Sequence, residues 1–139
     1  MSVSCGGVLY KKLGNKFYVL LREPTNHYEG FVWTFAKGLI EKNETKTECA
    51  LREVMEETGY ECNIGNYINV YSYKNNLSYM FLMTEISKKD YDKKETANLR
   101  WVNFNDAEKL IKKSTNIEGR NRDLLILKDA AYGLLNGKR

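Results

Sequence analysis

The sequence predicts a single α/β domain over residues 1–139, with helices flanking a mixed sheet. Three observations support this prediction. Runs rich in β-branched and aromatic residues occur in both halves of the chain, and segments with apolar residues at helical spacing lie between and after them. The 139 residues, 42% of them hydrophobic, are enough for one compact core. Strands alternating with helices are typical of the α/β class.

Strand-like runs are predicted before and after one central helix. The reason is the same for each run: β-branched and aromatic residues, bounded by turn residues. A polar segment, SKKDYDKKET, interrupts the second group and is expected to be a surface loop. The predicted strands cover about 3–11, 17–23, 31–36, 61–73, 78–86 and 99–102.

The central helix is predicted to end near Thr58, where Gly59 supplies a left-handed stop. Thr45 or Thr47 can cap its start. Its apolar residues recur at helical spacing and should face the core: Ala50, Leu51, Val54 and Met55. Two further helices are expected at about 105–113 and 121–136, with Gly137 beyond the second.

Three tyrosines of the run 61–73 share strand parity and are expected on one face of the sheet. There they would either stack on a nucleobase or pack in the core, and both interpretations stay open. The three are Tyr67, Tyr71 and Tyr73.

Glu53, Glu56 and Glu57 project from one face of the central helix, because positions three and four apart are neighbours on a helix surface. Like charges in this arrangement oppose helix formation by roughly 0.2–0.5 kcal/mol per pair. A solvated acidic face is one interpretation. A divalent cation is the other, since carboxylates suit Mg²⁺ or Mn²⁺. Removing one of these charges is expected to leave the thermal midpoint unchanged or raised.

The surrounding residues decide between the two interpretations. The segment GLIEKNETKTECALREVMEETGY at 38–60 fills every position of G-x5-E-x7-R-E-U-x-E-E-x-G-U except the last, where Tyr60 replaces an aliphatic residue. This pattern resembles the Nudix box, the signature of hydrolases that act on a nucleoside diphosphate linked to another group. Tyr60 should lie past the helix, as a packing variation. The resemblance implies an α/β/α sandwich around a mixed sheet, with the box as a loop–helix–loop.

The same resemblance implies the site residues. Glu53, Glu56 and Glu57 would hold two or more Mg²⁺ ions, with the Gly38 carbonyl as a further ligand, and the ions would assist in-line attack on a phosphoanhydride. Glu53 is either a ligand or the general base. Arg52 is expected to orient the carboxylates with its planar guanidinium.

Similarity extends beyond the box. WTFAKG at 33–38 is similar to the W-x-x-P-K-G of the asymmetrical diadenosine tetraphosphate hydrolases, which implies a polyphosphate contact for Lys37. Tyr79 matches a phosphate-contacting tyrosine of those enzymes. A lysine that those enzymes carry is replaced here by Asn75, and Lys74 is the candidate substitute for it. Residues from two further loops complete the predicted set. They are Glu95, where some Nudix enzymes bring an extra glutamate, and His27, which could touch phosphate or base.

Composition excludes several classes of protein. The net charge of +4 is spread over isolated lysine pairs, so dedicated nucleic-acid binding is not expected. Three cysteines and one histidine, without a C-x-x-C pair, predict reduced thiols and no structural zinc. No apolar run reaches the roughly 20 residues of a membrane span, and no signal peptide is recognised, so a cytoplasmic protein is expected. The oligomeric state stays open.

Three functions remain. The first is hydrolysis of a dinucleoside polyphosphate such as diadenosine tetraphosphate, to ATP and AMP. The second is the same chemistry on an oxidised nucleoside triphosphate, an ADP-sugar or a 5′-capped RNA end. The third is a Nudix-fold module that senses a nucleotide without cleaving it, which the complete set of box carboxylates disfavours.

Overall fold

A computed structural model describes residues 1–136 and confirms the predicted α/β class. Six strands form a mixed sheet that carries helices on both faces. In chain order the elements are β1 (Ser2–Leu13), β2 (Lys16–Pro24), the turn segment Thr25–Gly30, β3 (Ala36–Leu39), α1 (Lys46–Thr58), β4 (Tyr60–Tyr73), β5 (Asn76–Lys88), β6 (Thr96–Asn103), α2 (Phe104–Ile111) and α3 (Ile117–Leu135).

The sheet divides along β1, and this division positions the site. The strand order is β4-β5-β1-β2-β6, with β3 paired to β1 beside this path. β1 and β5 run parallel, whereas the other pairs are antiparallel. β1 pairs with β2 over residues 10–13 but with β3 over residues 4–7. The far half of β2 pairs with β6 instead. β2 and β3 therefore diverge, which leaves space between them.

An apolar cluster fills each side of the sheet. On one side Val8 and Leu21 pack with Ile111 of α2 and Ile126 of α3, and all four are fully buried. On the other side the adjacent residue Leu9 packs with buried residues of α1. This alternation along β1 follows from the two-residue period of a strand. The three cysteines are buried free thiols in the second cluster, as the sequence predicts: Cys5, Cys49 and Cys62.

The predicted strand at 31–36 is wrong for all but its last residue. Residues 31–35 are a buried connection that pairs with a strand at one residue only, where Thr34 and Arg22 of β2 exchange two backbone hydrogen bonds of 2.9 Å. Two other polar groups of this connection bond to the region of α3. The Val32 N–H donates to Ser114 Oγ at 2.9 Å, and Thr34 Oγ1 donates to Asp123 Oδ2 at 2.6 Å. Since these partners lie more than eighty residues away, the local sequence pattern does not reveal them.

The three tyrosines predicted to share one face of β4, Tyr67, Tyr71 and Tyr73, do not share it. Register shifts on both sides of Tyr67 mark bulges in the β4–β5 ladder, and each bulge reverses the alternation of the side chains. Tyr67 consequently packs against Phe81 on the α1 side. Tyr71 lies in the opposite cluster, where its hydroxyl donates to Asp129 Oδ2 at 2.6 Å.

The remaining boundaries agree with the prediction within about three residues, except at the start of α3. That helix begins four residues early, because Asn116 caps it by accepting a hydrogen bond from the Gly119 N–H at 3.0 Å. Gly137 lies outside the described residues. Among the residues described, no helix combines the length and apolarity needed to cross a membrane.

Candidate active site

Helix α1 carries the predicted carboxylates and is fixed at both ends. Thr45 is the cap: its Oγ1 accepts the Glu48 N–H at 3.1 Å, while Glu48 Oε1 accepts the Thr45 N–H at 2.9 Å. This reciprocal pair is a capping box. At the other end Gly59 adopts φ = 79°, a left-handed conformation that favours glycine. Both ends of α1 are therefore fixed by local hydrogen bonds and backbone conformation.

Arg52 binds several carboxylates at once. Its Nε and Nη2 donate to Glu44 at 2.6 and 3.0 Å, and its Nη1 donates to Glu53 at 2.7 Å and to Glu56 at 3.2 Å. Nη2 also donates to the Leu39 carbonyl at 3.1 Å. These bonds hold the pKa of Glu44 at about 2. Arg52 thus neutralises part of the glutamate repulsion and ties α1 to the preceding loop, which is the geometry of a positioning residue.

The carboxylates of Glu53 and Glu57 contact strand β3 at two consecutive residues. The Glu53 carboxylate packs directly on Gly38, where a Cβ would overlap it. The Glu57 Oε1 accepts the Lys37 N–H at 3.1 Å. Gly38 is required because any side chain here would displace the carboxylate. The two carboxylates are therefore gathered beside Lys37 and Gly38 of β3.

Glu57 is a buried charge, with 6% of its surface exposed. Burial raises its pKa to about 7, and the charge of Glu53 acts in the same direction. Arg22 Nε, 3.5 Å away, and Lys37 oppose that rise. Burial also lowers the pKa of Lys37 to about 8. The site thus pairs an acid that ionises close to neutral pH with a desolvated amine.

The donor atoms suit a hard divalent cation. Carboxylate and carbonyl oxygens are the ligands preferred by Mg²⁺ and Mn²⁺, and the Glu53 carboxylate packs against the residue that carries the Gly38 carbonyl. Within residues 1–136 no three acidic, cysteine or histidine side chains converge as a finished ligand set. The Arg52 guanidinium instead bridges Glu53 and Glu56. The residues fit the cation by chemistry, in an arrangement neutralised by Arg52.

A cleft of about 1100 Å³ opens beside these carboxylates. It lies where β2 and β3 diverge, and its walls come from β2, the turn segment Thr25–Gly30, β3, α1 and the loop before β6. Most of the predicted site residues line it: His27, Lys37, Gly38, Arg52, Glu53, Glu56, Glu57 and Glu95.

The loop 89–95 crosses the edge of this cleft and is anchored at both ends. At one end the Lys89 N–H donates to the Gly59 carbonyl at 2.8 Å. At the other, the Glu95 carbonyl accepts from Arg22 Nη2 at 2.7 Å and from the Thr25 N–H at 3.0 Å. Glu95 itself is exposed, and its charge acts on Glu53.

His27 lies in the turn segment with a half-exposed ring, and its Nε2 lies 2.8 Å from Glu23 Oε2.

Two predicted substrate contacts lie elsewhere. Tyr79, in β5, packs near Tyr67, with the Lys46 ammonium 4.6 Å from its ring centroid. Lys74 occupies the β4–β5 turn, where it is exposed and lies over Tyr73. Neither lines the cleft. The reason is the register of β5, which places Tyr79 beside Cys5 of β1 and not at the mouth of the site.

Two arginines that line the cleft are not indicated by the sequence pattern. Arg22 comes from β2 and Arg122 from α3, and both side chains are largely buried. Each stands in a stretch that periodicity explains as an ordinary strand or helix. A buried arginine is rare unless it is paired, but burial is a property of the fold and is not visible in the local pattern.

Comparison with known proteins agrees with the fold and with the box. A family model described as "NUDIX domain" matches residues 3–124. The mRNA decapping complex subunit 2 of Schizosaccharomyces pombe is 33% identical over 82 residues, which cover 53% of this chain and 11% of that protein. The chain spans 11% to 37% of the length of three curated relatives that it matches.

Two solved structures are similar over nearly the whole chain. A NUDIX hydrolase from Nitrosomonas europaea has a TM-score of 0.77 at 17% identity, covering 95% of this chain and 89% of that one. A C. elegans Ap4A hydrolase has a TM-score of 0.73 at 22% identity, covering 98% and 99%. At these identities the likeness establishes the fold.

Proposed function

This chain belongs to the Nudix family, and from that premise we propose that residues 1–139 form one pyrophosphohydrolase domain. Its reaction is the divalent-cation-dependent hydrolysis of a phosphoanhydride bond in a nucleoside diphosphate derivative. One observation carries the proposal: the Glu53 carboxylate lies on Gly38 while the Glu57 carboxylate accepts the neighbouring Lys37 N–H. Hard oxygen donors are thereby concentrated at one wall of a cleft large enough for a nucleotide.

Each residue of the site has a distinct part in this proposal. Glu53, Glu56, Glu57 and the Gly38 carbonyl would hold the cation, which would supply charge stabilisation for the bridging phosphates and for the attacking water. Arg52 positions Glu53 and Glu56 through its guanidinium bonds.

Proton transfer from the attacking water falls to a carboxylate of the same wall. Glu53, Glu57 and Glu95 are the candidates, since all three line the cleft.

The proposed substrate is a dinucleoside polyphosphate such as diadenosine tetraphosphate, cleaved to ATP and AMP. Lys37, in the WTFAKG segment, supports this choice because it lines the same cleft as the carboxylates and the charge of Glu57 acts on it. The fold likeness to the C. elegans Ap4A hydrolase points the same way. Oxidised nucleoside triphosphates and ADP-sugars are alternative substrates for the same chemistry.

A 5′-capped RNA end is a second candidate substrate. The 33% identity to a subunit named for mRNA decapping favours it. A cap contains the same kind of phosphoanhydride bond, so the proposed carboxylates would serve without change. Capped RNA carries a polynucleotide chain that diadenosine tetraphosphate lacks. This chain would have to leave the cleft near His27 and the loop 89–95.

A substrate panel tests the proposal. The purified protein is incubated with Mg²⁺ and diadenosine tetraphosphate, nucleoside triphosphates, ADP-ribose or capped RNA, and the products are separated by chromatography. We expect cleavage that EDTA abolishes, with ATP and AMP as the main products from diadenosine tetraphosphate. Tight nucleotide binding without cleavage of any member would contradict an enzyme and favour the sensing module.

A further inference from the structure

Arg22 is a largely buried arginine whose guanidinium lies between two parts of the cleft. Its side chain is 11% exposed. Its Nη2 donates to the Glu95 carbonyl at 2.7 Å, and its Nε donates to Thr96 Oγ1 at 2.8 Å. The same Nε lies 3.5 Å from Glu57 Oε1. One planar group therefore contacts both a carboxylate of α1 and the end of the loop 89–95.

The backbone of Arg22 is fixed as well. Arg22 and Thr34 exchange two backbone hydrogen bonds of 2.9 Å. Thr34 is held in turn, because its Oγ1 donates to Asp123 Oδ2 at 2.6 Å and Asp123 is fully buried. The guanidinium therefore extends from a rigid point of β2, and its position depends little on the solvent.

Arg22 is the link between the far end of the loop 89–95 and the carboxylates. The Thr25 N–H also donates to the Glu95 carbonyl, at 3.0 Å, and Thr25 Oγ1 donates to the Lys93 carbonyl at 3.1 Å. These two bonds hold the loop to the turn segment and do not reach α1. Of the two residues that bond to the Glu95 carbonyl, Arg22 also contacts Glu57.

The directions of these contacts suit a guanidinium better than a point charge. Nε and Nη2 of arginine lie in one plane at a fixed separation, so they can bond Thr96 and Glu95 together. A lysine ammonium is a compact charge on a flexible stem. It could neutralise Glu57, but it lacks this planar pair of donors. Exchange of arginine for lysine therefore separates positioning from charge.

We propose that Arg22 is a positioning residue, which holds Glu57 and the loop 89–95 at a fixed spacing across the reactive end of the cleft. The inference rests on the proposed function. Glu57 and Glu95 are both candidates for proton transfer, and a misplacement of about 1 Å can cost on the order of a hundredfold in rate. Because the bonds of Arg22 go to protein atoms, its loss should act on kcat and not on KM.

Limited proteolysis tests the loop anchor without catalysis. Trypsin is applied in EDTA to the wild type, Arg22→Lys and Arg100→Lys, and cleavage after the three lysines of the loop 89–95 is followed by mass spectrometry. Arg100 is exposed in β6 and does not line the cleft, so it is the matched control. We expect cleavage at least threefold faster in Arg22→Lys and unchanged in Arg100→Lys. Equal rates in all three proteins would overturn the inference.

An internal reference separates a released loop from a loosened fold. Lys113 follows α2 and is exposed, so its cleavage reports on unfolding outside the loop. In Arg22→Lys the faster cleavage should be confined to the loop. A rise of the same size after Lys113 would show a general loss of stability and would contradict the inference.

Steady-state kinetics with Mg²⁺ test the positioning role. The substrate is diadenosine tetraphosphate, or whichever member of the panel the wild type cleaves fastest. Arg22→Lys should lower kcat at least tenfold and change KM less than threefold, whereas Arg100→Lys should change neither by more than twofold. A higher KM with an unchanged kcat would place Arg22 on the substrate and overturn the inference.

Variants of Thr96 serve if Arg22→Lys does not fold. Thr96→Val keeps the shape of the side chain but removes the hydroxyl that accepts from Arg22 Nε, and Thr96→Ser keeps that hydroxyl. Thr96→Val should lower kcat at least threefold and speed cleavage of the loop, and Thr96→Ser should restore both toward the wild type. Wild-type behaviour of Thr96→Val would contradict the inference.

The outcomes distinguish this inference from the proposed function. If the wild type cleaves the panel while Arg22→Lys keeps its kcat, the inference falls and the function stands. If the wild type cleaves no member of the panel, the function is refuted, and faster cleavage of the loop in Arg22→Lys would then show only a structural anchor.

Discussion

At the scale of single residues, Glu57 is surrounded differently from what the helix pattern suggests. The pattern places it among like charges, so its loss should relieve repulsion. In the structure it is buried beside Arg22 and its backbone-bound neighbour Lys37. Burial nevertheless outweighs these partners and raises the pKa of Glu57, so the ionised carboxylate is disfavoured in the folded state. Arg22 keeps hydrogen bonds to Thr96 Oγ1 and to the Glu95 carbonyl when Glu57 is lost.

Glu57→Gln is expected to lower turnover by orders of magnitude and to leave the thermal midpoint unchanged or raised. Because the pKa of Glu57 is raised to about 7, its ionised form favours the unfolded state, so any gain of stability over the wild type should be clearest at pH 8. Initial rates with Mg²⁺ and thermal melts measure both effects. Glu85→Gln, an exposed change in β5, is the control. Undiminished turnover in purified Glu57→Gln would defeat the assignment.

Glu44 makes stability depend on acid pH. Its pKa falls from the ordinary 4.5 to about 2 because Arg52 binds the ionised form. A carboxyl with a depressed pKa favours the folded state above its unfolded pKa, and that contribution disappears as the pH falls from about 4.5 toward 2. The wild type should thus lose more stability over this window than Glu44→Gln does. Urea midpoints at pH 5 and pH 3 check this, and parallel profiles would contradict it.

The sequence predicts the site residues that share one segment and misses those that do not. Glu53, Glu56 and Glu57 follow from their spacing on one helix. Arg22 and Arg122 reach the cleft from a strand and a helix that are a hundred residues apart in the chain. Only the tertiary fold brings them together, so no local pattern marks them.

At the scale of elements, the sequence offers two threonines, Thr45 and Thr47, as the cap of α1, and the capping box of the structure uses Thr45. Thr45→Ala removes a side-chain bond to a helix N–H and should lower the free energy of unfolding by about 0.5–2 kcal/mol. Thr47→Ala should cost less, because Thr47 contacts the Thr45 hydroxyl and not the helix backbone. Urea unfolding of the two variants tests the assignment. A larger loss in Thr47→Ala would reverse it.

Elements with a regular local period are predicted well, and elements set by distant partners are not. The long strands β1, β4 and β5 and helix α1 lie close to their expected bounds. The connection 31–35 pairs with β2 at Thr34 alone, and side chains near α3 satisfy the Val32 N–H and the Thr34 hydroxyl instead. The tyrosine face of β4 fails because bulges interrupt the two-residue period. Tyr60 behaves as predicted: it follows α1, and its hydroxyl accepts the Trp101 Nε1–H at 3.0 Å.

At the scale of the whole molecule, the cleft joins segments that a cation would hold together. Mg²⁺ bound to the folded state alone should raise the free energy of unfolding, by about 2.7 kcal/mol at a hundred times its Kd. We expect a higher thermal midpoint with Mg²⁺, reversed by EDTA and absent in Glu53→Gln. An identical shift in Glu53→Gln and in the wild type would place the cation elsewhere.

The two anchors of the loop 89–95 have a consequence for how related chains can diverge. Lys89 is tied to the end of α1, and Glu95 is tied to β2 and the turn segment. The residues between them can increase in number or change in composition without moving either anchoring hydrogen bond. New substrate preferences can therefore arise by substitutions in this short loop, while the residues proposed to cleave the phosphoanhydride keep their geometry.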